Sequence, residues 1–307
     1  MISLVGYTGF VGSNIYDSGM IDNAYNSKNI TSAYGTSPDL LIYSGMRAEK
    51  YLANTNPDKD MELVVDAQKN IAKIAPKKLV LISTIDVFKH PNDVDEESPI
   101  DTQGLHPYGY NRYLLEEWVK SNYPDSLIIR LPGLFGKNLK KNFIYDYMNI
   151  IPFMLKENKF TDLLWECPQL PQYYELTPNG FYKVKELSAE KRAELKDIFS
   201  RLSFNALNFT DSRNVYQFYN LKRLWFDIQK ALEANLKLWH PATEPVSISE
   251  LYEYLTGDIF INELQAPVVR YDYRTKYASL FGGENGYICK KQDVLSDVKK
   301  LVEENGR

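Results

Sequence analysis

Two segments of this chain combine residue types whose spacing could do chemistry. Gly6-Tyr7-Thr8-Gly9-Phe10-Val11-Gly12 lies near the start, and Tyr108-Gly109-Tyr110-Asn111-Arg112 follows far downstream. A turn that receives a pyrophosphate needs glycine where the backbone bends tightly, approaches the phosphates and packs on a sheet, while the following helix supplies amides and positive potential. Gly6, Gly9 and Gly12 meet that need between an apolar run, Ile2 to Val5, and a helix expected from Val11 to about Ser18, with Thr8, Phe10 and Val11 completing the loop. Tyr108 and Arg112 stand four residues apart, hence on one face of a helix. A tyrosine that moves a proton at neutral pH must be made easier to ionise than its ordinary pKa of about 10 allows, and a nearby cation does that. A dinucleotide cradle and a phenol beside a permanent charge together point to hydride chemistry on a sugar-like alcohol.

Ser83 and Thr84 join the candidates because they close the apolar run Leu79-Val80-Leu81-Ile82. Ligands in open α/β folds bind at the carboxyl edge of the sheet, where a hydroxyl in that position emerges. The choice of dinucleotide turns on the ribose 2′ position, read by a carboxylate for NAD and by basic or hydroxyl groups for NADP. The second strand is expected to end near Asn26-Ser27-Lys28, where no carboxylate stands, so NADP is favoured over NAD.

These residues need a scaffold, and the first half of the chain alternates apolar runs with helical periodicity, the pattern of a parallel sheet with helical crossovers. Asp39 to Tyr43 reads as a strand, Met61 to Ile74 as a helix, Leu114 to Val119 as the continuation of the Tyr108 helix, and Ser126 to Arg130 as a further strand. The expected class is α/β, a Rossmann-type doubly wound parallel sheet with a smaller, mostly C-terminal substrate-binding part. Residues 1–150 would form the dinucleotide-binding domain, with 215–245 returning to it, and 151–214 with 246–307 the substrate-binding part. The stretch 152–214 is rich in aromatics and proline, with one clear helix, Ala189 to Leu202, behind the cap Ser188; it reads as an insertion over a site, not a sheet layer. Asn220 to Ala234 reads as an amphipathic helix, Leu236 to Trp239 as a strand, and Ser247 to Glu250 as a capping box.

Composition removes several classes. Thirty-six basic against 40 acidic residues give a net charge of −4, with no basic run of the kind that tracks phosphate backbones, so nucleic acid is not an expected partner. Cys167 and Cys289 are far apart and lack metal-ligand spacing, as do His90, His106 and His240, for which surface or capping roles are expected. No metal is expected. With no long apolar stretch and no leader pattern, the chain reads as a cytoplasmic protein without a membrane segment.

Three blocks carry a resemblance: Val5 to Gly12, Ile82-Ser83-Thr84-Ile85-Asp86-Val87-Phe88, and Pro107 to Arg112 running on through Glu116-Glu117. They resemble the signatures of extended short-chain dehydrogenases/reductases, the NAD-dependent epimerase/dehydratase family that acts on nucleotide sugars. Ile129 to Gly136 and the stretch from Phe218 through Val246 resemble later blocks, so that roughly 152–214 alone falls outside. Within the family the spacing to Asp39 and the Ser-Thr-x-x-Val-Phe block are most like the dTDP-4-dehydrorhamnose reductases. The resemblance implies that Thr84 hydrogen-bonds the substrate oxygen, that Tyr108 is the general acid/base and that Arg112 contacts the nicotinamide ribose. It also places Ser44 and Gly45 along the cofactor, and implies a homodimer built from the helices at 61–74 and 109–121. Position 112 departs from the family's usual lysine, and arginine keeps the charge while being bulkier and unable to relay protons as lysine does. Ile85 and Asp86 stand where family dehydratases carry Asp-Glu, which disfavours dehydration and leaves reduction, oxidation or epimerisation.

Asn138, Lys141 and Asn142, with Lys137, follow the block ending at Gly136, where the family's substrate loops begin and cations could meet a diphosphate. Arg213, in Thr210-Asp211-Ser212-Arg213, and Arg274, among the tyrosines of Tyr271 to Tyr277, are the arginines expected to meet a nucleotide diphosphate, where arginine beside tyrosine suits the diphosphate and the base. The expected activity is that of an NAD(P)-dependent oxidoreductase or epimerase of a nucleotide-activated sugar. The alternative is a binding or regulatory protein that keeps the fold and has lost turnover with the lysine.

Overall fold

Period-two alternation along the early apolar runs sorts their side chains onto two faces, and the structure buries both. In the computed structural model, which describes residues 1–306, β1 (Ile2–Val5), β2 (Asn23–Tyr25), β3 (Leu40–Tyr43), β4 (Leu79–Thr84) and β5 (Leu127–Leu131) join the short strand Leu238–Trp239 in one parallel sheet. The order is β2-β1-β3-β4-β5 followed by Leu238–Trp239. Leu4, Ile42, Val80, Ile82, Leu127 and Ile129 pack on one face with Ile15 of helix α1 (Phe10–Tyr16) and with Leu224, Ile228 and Ala231 of the helix Leu224–Glu233. Val5, Leu41, Tyr43, Leu79, Leu81 and Ile128 pack on the other. There they meet Val64, Ala67, Ile71 and Ile74 of one helix and Leu115 and Val119 of another. Following the short helix α2 (Lys50–Thr55), these are α3 (Pro57–Ile74) and α4 (Pro107–Asn122). Each fully buried Leu or Ile contributes about 1.5–3 kcal/mol, which is why a sheet covered on both sides reads as unbroken apolar runs. The doubly wound α/β class expected from the sequence is the one observed.

Local signals fix the helix starts. Asn56 caps α3 by accepting the Lys59 N–H, ahead of Pro57 at the first helical position, and Pro107 holds the same position in α4. Asn220 caps a 3-10 turn, Leu221–Arg223, so the helix expected from Asn220 begins in α-form at Leu224.

The chain divides into two compact units: residues 1–139, 215–246 and 269–297, and residues 140–214, 247–268 and 298 onward. The second corrects the reading of 152–214. Besides the helix Ala189–Arg201, capped by Ser188, that stretch holds a helix Glu157–Glu166 and a three-stranded antiparallel sheet with Phe181–Val184 between Met154–Lys156 and Tyr174–Leu176. Its aromatics form a core of their own, in which Phe160 stacks on Tyr182 at 3.8 Å among Leu155, Leu163, Tyr174, Leu195 and Phe199. In the same unit the Ser247–Glu250 capping box opens the helix Ile248–Thr256 as expected.

Candidate functional site

The glycine loop sits where β1 leaves the sheet between β2 and β3, at the reversal of strand order where open α/β sheets form their ligand crevice. Gly6 has φ +92°, donates its N–H to the Tyr25 carbonyl at 2.7 Å, and lies so close to the end of β3 that a Cβ would fall 2.4 Å from the Ser44 carbonyl oxygen. A Cβ on Gly12 would fall 2.1 Å from the Gly6 carbonyl, and the Gly9 N–H bonds that same oxygen at 2.9 Å. The cradle is one that a Cβ would fill, which fits a dinucleotide pyrophosphate. Ser44 and Gly45 border it directly, with Gly45 packed on the Tyr43 ring and Val5. β2 ends at Tyr25, and Asn26 folds the chain back by accepting the Lys28 N–H at 2.9 Å while donating its own to Asn29 Oδ1 at 2.7 Å; Ser27 and Lys28 are exposed.

Thr84 ends β4, and its hydroxyl oxygen accepts the Asp86 N–H at 3.2 Å. The Tyr108 phenol stands close enough to the Thr84 side chain for that hydroxyl to ease its ionisation. What brings them together is a residue not singled out in the sequence, Gly109. A Cβ there would fall 2.1 Å from the Asp86 carbonyl oxygen, so the missing side chain lets the first turn of α4 close on the turn after β4. His106 caps that helix, its Nδ1 accepting the Gly109 N–H at 3.0 Å, and its ring stacks on Tyr108. Asn54 Oδ1 takes the Tyr108 N–H at 3.0 Å.

The phenol corrects one expectation. Tyr108 is 7% exposed, and burial pushes its pKa up to about 12, outweighing the nearby Arg112 charge that acts in the opposite sense. Arg112 corrects another. Its Cζ lies 4.6 Å from the centre of the Tyr108 ring, but its fork is turned into the protein: Nη1 bonds Asp60 Oδ2 at 2.7 Å, and Nη2 bonds Asp60 Oδ1 at 3.0 Å and the Arg47 carbonyl at 2.7 Å. Asn111 adds a third donor to Asp60 at 2.9 Å. The arms expected to hold ribose hydroxyls are therefore committed to a buried carboxylate.

Ser83 likewise faces inward. Period two puts it on the α4 face of β4, where its Oγ donates to Glu116 Oε1 at 2.5 Å. Glu116 is fully buried and receives Arg130 in a bidentate pair, Nη2 to Oε2 at 2.7 Å. Arg130 Nη1 reaches His240 Nε2 at 3.3 Å. His240, expected at the surface or as a cap, is completely buried, and burial drives its pKa down to about 3, so it is neutral. Asp86 is a centre of charge that sequence reasoning missed. Its Oδ1 accepts both Lys50 Nζ at 3.0 Å and the Tyr271 hydroxyl at 2.7 Å.

The expected substrate residues are divided. Asn138, at φ +65°, donates to Ser13 Oγ at 3.1 Å beside α1 in the first unit, while Lys141 and Asn142 belong to the second, where Asn142 caps the helix Phe143–Met148. Arg213 is held within the second unit by Asp211 at 2.7 Å and Glu263 at 2.9 Å. Arg274, in the first, pairs with Asp272 and lies over the Tyr287 ring at 4.3 Å. Among the described residues no group of three or more His, Cys, Asp or Glu side chains is placed to hold a metal, and no helix is long and apolar enough to cross a membrane.

Comparison with known proteins agrees with this architecture. Residues 2–152 match the family model of the RmlD substrate binding domain. No curated protein sequence matches the chain. Among solved structures, a dTDP-4-dehydrorhamnose reductase from Bacillus anthracis in complex with NADP is similar at 16% identity and a TM-score of 0.63, covering 99% of this chain and 97% of its own. A UDP-N-acetylglucosamine 4-epimerase from Methanobrevibacter ruminantium in complex with UDP-N-acetylmuramic acid gives 12% identity and 0.64, over 98% and 96%. A short-chain dehydrogenase/reductase superfamily protein from Agrobacterium tumefaciens with bound NAD gives 14% and 0.62, over 99% and 97%. At these identities the likeness is one of fold. The resemblance read from the sequence blocks is thus met by a family model and by the architecture alike.

Proposed function

We propose that this chain, whose residues 2–152 match the RmlD substrate binding domain and whose fold is that of extended short-chain dehydrogenases/reductases, is an NAD(P)-dependent oxidoreductase or epimerase of a nucleotide-activated sugar. The observation that carries the reading is the Gly6–Gly12 cradle, opening from the first strand of the sheet at whose carboxyl edge Gly109 lets α4 bring Tyr108 up to Thr84. In this reading Gly6, Gly9 and Gly12 with the backbone of Thr8, Phe10 and Val11 take the pyrophosphate, Ser44 and Gly45 border the cofactor, and Asn26, Ser27 and Lys28 meet the adenosine ribose. The exposed Lys28 favours a 2′-phosphate, hence NADP. The bound nicotinamide supplies or accepts hydride. Thr84 holds the reacting sugar oxygen, and Tyr108 exchanges a proton with it.

A phenol pushed up to about 12 by burial is protonated at neutral pH, the form that donates to an oxygen becoming an alkoxide; reduction, oxidation and epimerisation all remain within this reading. Arg112 stabilises the phenolate left behind through the ring face at 4.6 Å. Asn138, Lys141 and Asn142 are proposed for the substrate; Arg213 and Arg274 serve less well, since carboxylates already hold them. The homodimer is proposed on α3 and α4, where Val65 and Tyr110 stand exposed. The compartment proposed with this reading is the cytoplasm.

A second reading, a dinucleotide-binding protein without turnover, draws on the Arg112 fork being closed by Asp60. Titration with NADPH and NADH, then nucleotide-sugar panels followed at the nicotinamide absorbance band, separates the two. Sugar-dependent oxidation of the reduced cofactor that Tyr108→Phe abolishes supports the enzyme. Tight cofactor binding with no product from any sugar supports the binder, and no dinucleotide binding overturns both.

A further inference from the structure

Arg112 and Asp60 form a closed unit under the phenol. Asp60 lies in the first turn of α3, is 7% exposed, and accepts three donors from α4: both terminal nitrogens of Arg112 and the side-chain amide of Asn111. The Arg47 carbonyl takes a further bond from Arg112 Nη2, so neither terminal nitrogen is left to swing toward solvent. The Tyr108 ring covers the guanidinium at 4.6 Å. We propose that Asp60 is a positioning residue for Tyr108: by taking both arms of the Arg112 fork it fixes the guanidinium against the face of the phenol and tempers its charge there.

Geometry assigns this role. An arginine free of Asp60 could extend along any of its rotamers, whereas a bidentate carboxylate defines one plane for the guanidinium. The same carboxylate places a negative charge on the far side of that cation, so Tyr108 meets a partly neutralised pair where a bare cation would otherwise stand. The other groups facing the phenol are His106, stacked on it from the helix start, the Thr84 hydroxyl, and Asp86 with its partners Lys50 and Tyr271. Asp60 is the one of these that acts on Tyr108 through Arg112. Its role in catalysis rests on the reading of Tyr108 as the proton-transferring group.

The test is a titration of the Tyr108 ring by NMR in protein carrying 13C at the tyrosine Cζ, with Tyr108→Phe assigning the resonance. It is recorded on the full chain without cofactor or sugar. Asp60→Asn keeps an acceptor for Asn111 while removing the charge, and the phenol is expected to titrate lower by about one pH unit, the scale of an uncompensated neighbouring charge. The double variant Asp60→Asn with Arg112→Gln carries no unpaired buried ion and guards against loss of the fold. At pH 11 its phenol is expected to stay protonated, as in the unaltered protein, because the cation that eases ionisation has gone, whereas the phenol of Asp60→Asn is by then about half ionised. An Asp60→Asn phenol still protonated at pH 11 would overturn the proposal and leave Asp60 a purely structural partner. The readout needs no turnover, so a chain that binds cofactor without reacting fails the functional reading and still tests the role of Asp60.

Discussion

Protonating His106 should loosen the start of the helix that carries Tyr108. Its Nδ1 accepts the Gly109 N–H at 3.0 Å, which requires the lone pair of a neutral ring. Burial first, then the Lys50 charge, lowers its pKa from the ordinary 6.5, with Asp86 acting in the opposite sense. A folded-state pKa below the unfolded one means that the folded protein resists the proton. The contribution is therefore complete above about pH 6.5 and is lost as pH falls from there through the lower folded value. The loss is bounded by the cap, about 1 kcal/mol, roughly a fivefold change in the folding equilibrium. His106→Asn supplies the control, since asparagine caps helices without titrating. Thermal and urea denaturation of both proteins should show the Asn variant gaining about 1 kcal/mol on the unaltered protein between pH 8 and pH 5, or about 2–4 °C in Tm. His240, held down to about 3, titrates below this window, and the exposed His90 is common to both proteins. A stability difference that stays constant across that pH range would refute the reasoning, because it would mean that the proton never reaches the cap.

Two further outcomes follow from distances. Gly12→Ala drives a methyl to within 2.1 Å of the Gly6 carbonyl, so the cradle must open, and NADPH affinity by fluorescence titration should fall by at least about tenfold; undiminished affinity would remove the loop from the binding site. Glu116→Gln leaves Arg130 as a buried cation without its carboxylate and should cost about 3–5 kcal/mol in urea denaturation, whereas a loss under about 1 kcal/mol would show the pair to be replaceable.

The sheet was legible because its signal is local: apolar runs of four to six residues bounded by turns declare buried strands, and the Gly6 to Gly12 loop declares its place after β1. The same period-two logic, carried one residue further, would have turned Ser83 toward α4 with Leu79 and Leu81 and away from the ligand edge. The second unit hid its sheet because strands of three or four residues are too short for alternation to register, and Pro171, Pro178 and Gly180 dominate the local pattern. Arg112 could be placed on its helix but its partner could not, since Asp60 lies 52 residues earlier and no spacing rule joins them. Tyr271 meets Asp86 across 185 residues, beyond any local pattern. Gly109 did carry a sign, a glycine in the first turn of a helix, where it costs stability unless something approaches closely.

The first unit is assembled from three separate stretches of chain, and its last, 269–297, brings Tyr271 to Asp86 and Thr275 to Glu96, which also receives the His240 N–H. On a ribosome adding about 5–20 residues each second, the early strands emerge well before these partners exist. Until then Asp86 and Glu96 lack donors that the finished unit provides, and the nascent sheet must wait, for some tens of seconds at the slower of those rates, with its polar seam unsealed. Completion of the first unit is therefore a late, long-range event, with water serving Asp86 and Glu96 until their partners arrive.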